Sequence, residues 1–172
     1  MQEHPIFLPR MRPSVIISDI TTDDIISAAF QAKKLGILNN SIMSGKGNLV
    51  GCIGEIIVAK YLGVPLQHSY DYDLIWNGLK IDVKTKLTSV FPKPSYECSI
   101  ASANPNQKCD WYIFTRVHSD LDTAYILGYL PKEEYFKTAE CLHQGQVSGS
   151  NGFTVKHNCY NVSISELKQI PM

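Results

Sequence analysis

The stretch from Asp73 to Lys86 constrains the fold more than any other part of the chain. It reads Asp-Leu-Ile-Trp-Asn-Gly-Leu-Lys-Ile-Asp-Val-Lys-Thr-Lys, and Asn77-Gly78 lies between two runs of strand-forming residues. Asn-Gly is the strongest short-range signal for a β-hairpin, because a type I′ turn needs a positive φ at both central residues. We therefore predict two antiparallel strands joined by a two-residue turn.

The predicted turn also determines which residues oppose each other across the hairpin. Counting outward from it sets Asp73 opposite Asp82. Opposed side chains have Cβ atoms roughly 4.5–5.5 Å apart, so two carboxylates there would repel each other unless a cation lay between them. Side chains alternate between the two faces of a strand. Lys84 therefore joins the two acids on a polar face, and the other face is predicted to be core: Leu74, Trp76, Leu79, Ile81 and Val83.

A helix is predicted ahead of the hairpin, from Asn48 to Leu62. It is apolar nearly all round, so we expect it to be buried on most sides. Gly51 and Gly54 weaken a helix intrinsically and therefore indicate close packing. The one acid in this helix is Glu55, and a buried carboxylate must be paired, hydrogen-bonded or metal-bound. Glu55 either pairs with a lysine, caps a neighbouring loop, or joins the acids of the hairpin.

An Asp on one strand and Asp-x-Lys on the next resembles the motif of the PD-(D/E)xK nuclease superfamily. Asp73 and the run Asp82-Val83-Lys84 carry this resemblance, and Tyr72 stands at the variable position that proline occupies in the motif's name. The resemblance covers roughly residues 47–130. It implies an α/β fold of restriction-endonuclease type, with a mixed β-sheet that contains an antiparallel hairpin and is flanked by helices. It also implies that Glu55 is the helical glutamate that several branches place before the first strand.

The function implied by the resemblance is hydrolysis of DNA phosphodiester bonds. Glu55, Asp73 and Asp82 would then offer the oxygen ligands that suit Mg²⁺ or Mn²⁺. Lys84 would hold the attacking water and stabilise the charge that develops on the phosphate. The alternatives are a polar hairpin face whose acids have no catalytic role, and a module on a nuclease-like fold that binds nucleic acid or protein without cutting. Three further residues are candidate nucleic-acid contacts: Lys46, Lys86 and Gln107.

Composition limits the partners and the setting. The formal net charge is zero, which is unusual for a strong nonspecific nucleic-acid binder, so DNA affinity would depend on a local patch, a partner or a homodimer. Five cysteines, an odd number, imply no disulfide framework and favour the reducing cytoplasm. The sequence shows neither a signal-peptide pattern nor an apolar run long enough for a transmembrane helix, and we expect no membrane partner.

The whole chain, residues 1–172, is predicted to form one domain. Residues 1–20 are expected to form an N-terminal arm, about 21–140 the core, and 141–172 a C-terminal extension. An earlier helix should end at Leu35, before Gly36, and another should begin with Pro131 as its first residue. Strands are predicted near residues 15–20, 96–101, 111–117, 123–130 and 160–164, the third of these at the centre of the sheet.

Two pairs of metal-competent residues stand near the end of the chain. Cys141-x-His143 and His157-x-Cys159 offer four zinc ligands in two symmetric pairs. The one-residue spacing is less usual than two to four, and free cysteines are commonly buried as small apolar residues. Ordinary packing is the favoured interpretation, and a small zinc-stabilised interaction domain is the alternative.

Overall fold

The computed structural model describes residues 14–35, 48–67, 69–102, 106–148 and 152–172. The arm up to residue 13, Gly36 and the candidate contact Lys46 lie outside the described residues. The elements are β1 (Ile16–Asp19), α1 (Thr22–Leu35), α2 (Asn48–Leu62), β2 (Leu74–Trp76), β3 (Leu79–Thr88), β4 (Glu97–Ala101), β5 (Trp111–His118), β6 (Thr123–Pro131), α3 (Lys132–Thr138), β7 (Glu140–Leu142), β8 (Cys159–Ser163) and a 3₁₀ turn (Ile164–Glu166).

The main sheet has five strands in the order β1-β6-β5-β3-β2. Strand β5 runs parallel to β3 and antiparallel to β6, and the remaining pairs are antiparallel. The predicted mixed α/β architecture is therefore confirmed, with β5 at the sheet centre as expected and β1 at one edge. Strand β1 confirms the strand predicted near residues 15–20.

The hairpin forms at the predicted turn. Asn77 and Gly78 have φ angles of 49° and 78°, which agree with a type I′ turn. The pairing of Trp76 with Leu79 and of Leu74 with Ile81 is as expected. Local turn chemistry alone was sufficient to place this register.

Both faces of the main sheet are covered, so the face that carries Asp82 is not the solvated surface that alternation alone indicates. Helices α1 and α2 cover the first face and enclose a core that includes Ile81, Val83 and Ile113. On the second face, the parallel register sets Asp82 beside Tyr112, and α3 and a second sheet enclose the aromatic core there. Asp82 is only 5% exposed.

The second sheet is built largely from the C-terminal part of the chain. Its strand order is β4-β8-β7, with β8 in the middle. Val162, Ile164 and Leu167 are buried in the core between this sheet and the main sheet. The described residues of the segment 141–172 thus contribute most of β7, all of β8 and the 3₁₀ turn. Pro131 differs from expectation in a small way, because it ends β6 and serves as the N-cap of α3 rather than as its first residue.

Candidate active site

Gly54 lets α2 approach the sheet closely enough to bring Glu55 to the hairpin. A Cβ atom built on Gly54 would lie 2.0 Å from Oγ1 of Thr85 and 2.8 Å from Oγ1 of Thr115, so no larger residue fits. The two threonine hydroxyls are hydrogen-bonded to each other at 2.8 Å. The predicted close packing is thus confirmed at Gly54. At Gly51 it is wrong, because an added Cβ there meets nothing within 4 Å.

Asp73 lies just before β2, at the point where the hairpin ladder ends. The last ladder pair is Leu74 with Ile81, so the expected pairing of Asp73 with Asp82 is not part of the ladder. The Asp73 backbone N–H donates to the carbonyl of Ile81 at 2.9 Å, while its carboxylate accepts the Val83 N–H at 2.7 Å. The side chain therefore supplies the acceptor that the backbone would otherwise provide, and this contact holds the carboxylate in place.

Asp82 and Lys84 form the central pair of the site. The Lys84 ammonium lies 2.7 Å from Oδ2 of Asp82, and the amide of Gln107 donates to Oδ1 at 2.5 Å. Burial lowers the pKa of Lys84, but the neighbouring carboxylates of Asp82 and Asp73 outweigh it, and the net effect is a raised pKa. Lys84 is therefore held in its charged form at neutral pH.

Burial and neighbouring negative charge also raise the pKa values of Glu55 and Asp73. Burial, followed by repulsion from Asp82, raises the pKa of Glu55 to about 7, and Lys84 opposes this shift. Burial also raises the pKa of Asp73 well above its ordinary value, with further contributions from Asp82 and Glu55, although the hydrogen bond from Val83 opposes them. The structure thus brings the four predicted residues, Glu55, Asp73, Asp82 and Lys84, into one electrostatically coupled group.

The two predicted nucleic-acid contacts that the structure describes, Gln107 and Lys86, have different positions. Gln107 lies in the site, where its side-chain amide donates to Asp82 and its backbone carbonyl accepts a hydrogen bond from the Lys132 ammonium. Lys86 is turned away from open solvent, because its ammonium donates to Oγ of Ser99 at 2.6 Å on the second sheet. It is therefore a residue of the space between the sheets rather than of an exposed strand face.

Two residues near the site carry no motif signal. Lys132 reaches the Gln107 carbonyl from the start of α3. Tyr112 lies beside Asp82 in the parallel register, and the Lys84 ammonium is 5.9 Å from the centre of its ring. The pairing of β3 with β5 would have indicated Tyr112, but nothing local to the sequence specifies that pairing.

The donor set matches the chemistry of a hard divalent cation. Three carboxylates face one lysine, and the raised pKa values of Glu55 and Asp73 reflect negative charge that this lysine does not fully offset. Carboxylate oxygens are the ligands that Mg²⁺ and Mn²⁺ prefer. Even so, in the described part of the chain no three His, Cys, Asp or Glu side chains are arranged as a ligand cluster. The lysine at Asp82 and the hydrogen bond at Asp73 occupy oxygens that an ion would use.

The two cysteines of the zinc alternative do not lie on one face of the second sheet. In the ladder, Cys159 is paired with Leu142, and Cys141 is paired with Tyr160. Because paired residues share a face, the two cysteines lie on opposite faces of the second sheet. This register favours the interpretation that they are ordinary free cysteines.

Comparisons of the sequence with protein-family models and with curated proteins found no match. Among the described residues, no helix is both long enough and apolar enough to cross a membrane. The functional interpretation therefore depends on the geometry of the site.

Proposed function

We propose that this protein is a metal-dependent nuclease that hydrolyses DNA phosphodiester bonds. The observation that carries the proposal is the convergence of Glu55, Asp73, Asp82 and Lys84 from a buried helix and both sides of one hairpin. Placing three acids beside one lysine, with Asp82 buried and Glu55 and Asp73 partly buried, is costly for a structural element, because charged groups lose hydration. A role in binding a divalent cation and an anionic substrate would explain why this unfavourable arrangement is present.

Each side chain has a role that follows from its contacts. Glu55, Asp73 and Asp82 would hold Mg²⁺ or Mn²⁺, which supplies an activated water and neutralises charge on the phosphate. Lys84 is charged and donates hydrogen bonds to the attacking water and to the developing negative charge. Gln107 positions the Asp82 carboxylate, and the Val83 N–H positions that of Asp73.

The setting proposed with this activity is the cytoplasm, and the partners are DNA and a second copy of the chain. All five cysteines are free, in keeping with a reducing compartment. A homodimer would supply the additional contact surface that a chain of zero net charge needs to hold a polyanion.

A noncatalytic binding module on a nuclease-like fold is the second candidate, and one observation favours it. The Lys84 ammonium lies 2.7 Å from Oδ2 of Asp82, so the two charges largely neutralise each other. In this alternative the acids are part of the architecture and no phosphodiester bond is cut.

A cleavage assay decides between the two candidates. The wild-type protein and the variants Asp82→Asn and Lys84→Ala are each incubated with supercoiled, linear, branched and single-stranded DNA in the presence of Mg²⁺ or Mn²⁺. The nuclease proposal expects cleavage that falls by about 10²–10³ in Lys84→Ala, since one transition-state contact is lost. Asp82→Asn should lose activity through metal affinity and recover part of it in excess Mn²⁺. Lys84→Ala should not recover in this way.

The matched control is Lys80→Ala, an exposed lysine on the same strand that should cut at the wild-type rate. Removal of Lys84 takes the charged partner away from the buried carboxylate of Asp82 and costs about 1–3 kcal/mol of stability. Circular dichroism is therefore used to check that each variant is folded. A wild-type protein that binds these DNA substrates and cuts none of them would refute the nuclease and leave the binding module.

A further inference from the structure

A cavity of about 700 Å³ lies next to the candidate active site. Its walls come from both sheets, through β3 and β5 on one side and β4 and β8 on the other, and Lys84 lies in its lining. Pockets of this volume are typical of sites for small molecules. The cavity is therefore large enough for a ligand and shares a wall with the proposed catalytic group.

The lining carries an excess of positive charge. It contains Lys86, Arg116 and Lys156 in addition to Lys84, whereas its one carboxylate belongs to Glu97. The oxygens of Glu97 accept hydrogen bonds from neutral groups, the Ser148 hydroxyl at 2.6 Å and the Asn161 amide at 3.0 Å.

Lys86 and Arg116 are the most informative of these residues. The Lys86 ammonium donates to the Ser99 hydroxyl, and the Arg116 guanidinium donates to the backbone carbonyl of Glu97 at 3.0 Å. Over the residues that the structure describes, neither cation forms an ion pair with a carboxylate. Nε of Arg116 is buried without a hydrogen-bond partner in that same part of the chain. Two neighbouring cations that are largely removed from water, and that share the single carboxylate of Glu97, keep a net positive charge and form a site for an anion.

Charge effects agree with this geometry. Burial, followed by the charge of Arg116, lowers the pKa of Lys86. Burial also lowers the pKa of Arg116. An anion between the two groups would remove their mutual repulsion and so stabilise both in the charged form.

The rest of the lining is mainly apolar and includes aromatic rings. Phe114, Leu127 and Val155 are buried, whereas Phe153 is about half exposed and offers its ring to a ligand. Bases that have left a stack are commonly held against aromatic and apolar side chains in such a pocket. The cavity therefore combines a place for a phosphate with a surface for a base.

We propose that the cavity binds one unstacked nucleotide of the substrate strand, beside the phosphate that is cut. Lys86 and Arg116 hold the phosphate of this nucleotide, and its base lies against Phe153 and the apolar wall. The choice of a nucleotide rests on the nuclease function proposed above, whereas anion binding between Lys86 and Arg116 rests on the cavity alone.

The test is calorimetric titration of the metal-free protein, in EDTA, with deoxyadenosine 5′-monophosphate and separately with inorganic phosphate. The nucleotide should bind more tightly than phosphate. Lys86→Met and Arg116→Met keep the apolar stem and remove the charge, and each should weaken nucleotide binding by at least about tenfold, the effect of one lost charged hydrogen bond. Lys80→Met is the matched control, because Lys80 is exposed on the same strand and does not line the cavity.

Phe153→Ala separates the base from the phosphate. It should weaken binding of the nucleotide and leave the affinity for inorganic phosphate unchanged. Equal affinities for the two ligands would refute the nucleotide assignment. Absence of binding would overturn the cavity site altogether. The same conclusion would follow if Lys86→Met and Arg116→Met both remained folded by circular dichroism and neither changed the affinity for the nucleotide or for phosphate.

The titration and the cleavage assay can fail separately. The titration uses no metal and requires no cleavage, so a protein that binds the nucleotide through Lys86 and Arg116 but cuts no DNA retains the cavity site and loses the nuclease. A protein that cuts DNA but shows no nucleotide binding retains the nuclease and loses the cavity site.

Discussion

Replacing Glu55 by Gln should stabilise the metal-free protein at pH 8. Glu55 lies in a crowded acidic group, where burial and the charge of Asp82 raise its pKa to about 7 from an ordinary value of 4.5. The unfolded chain therefore releases the proton at a lower pH than the folded protein does. Below pH 4.5 the group is protonated in both states and carries no penalty. The penalty grows as the pH rises from 4.5 to 7, and it is complete above pH 7.

The size of the effect follows from the pKa difference. Each pKa unit corresponds to 1.36 kcal/mol, so the full shift of Glu55 is worth about 3 kcal/mol above pH 7. The pKa of Asp73 is also raised, in part by Glu55, so the two groups share part of this penalty. We therefore expect Glu55→Gln, which keeps the shape and removes the charge, to raise the free energy of unfolding by about 1–3 kcal/mol at pH 8. At pH 4.5 the gain should largely vanish.

Urea unfolding in EDTA at pH 4.5 and pH 8 measures this difference. Glu140→Gln, at an exposed position on β7, is the control and should change the free energy of unfolding about equally at the two pH values. Addition of Mg²⁺ should stabilise the wild type at pH 8 more than it stabilises Glu55→Gln, because binding to the folded state adds to its stability. A Glu55→Gln protein that is less stable than wild type at pH 8 in EDTA would refute the reasoning.

Three other results are expected. Gly54→Ala should lower the free energy of unfolding by about 2–3 kcal/mol, because the added methyl group overpacks against the sheet. Gly51→Ala should raise the free energy of unfolding by about 0.5–1 kcal/mol, because alanine favours the helix and the position is open. Differential scanning calorimetry measures both changes, and equal effects would contradict the packing argument. Elemental analysis of purified protein should find less than one equivalent of zinc. One equivalent of zinc in the wild type that is absent from Cys141→Ser and Cys159→Ser would contradict this expectation. The fall in cleavage by Lys84→Ala should be much larger than its effect on metal affinity, and a variant that cuts normally would remove the lysine from catalysis.

The sequence by itself was sufficient for the local elements. Asn77-Gly78 specified the hairpin because few residues accept positive φ, and its register followed from counting. The bounds of α2, from Asn48 to Leu62, followed from an apolar run that ends before a glycine, and Glu55 was identifiable as the one acid in that helix. These features depend on neighbours along the chain, so local chemistry determines them.

Tertiary structure decided how the site is enclosed. Asp82 is buried among residues that are distant from it in the sequence, because Gln107 donates to its carboxylate and the pairing of β3 with β5 places Tyr112 beside it. The contact between Gln107 and Asp82, and the cavity that contains Lys86, arise from the same long-range packing. Even the end of the ladder at Asp73 required the structure, because there a side-chain carboxylate takes the hydrogen bond of a backbone carbonyl. Alternation along a strand fixes which residues share a face, but what covers that face is set by contacts between segments far apart in the chain.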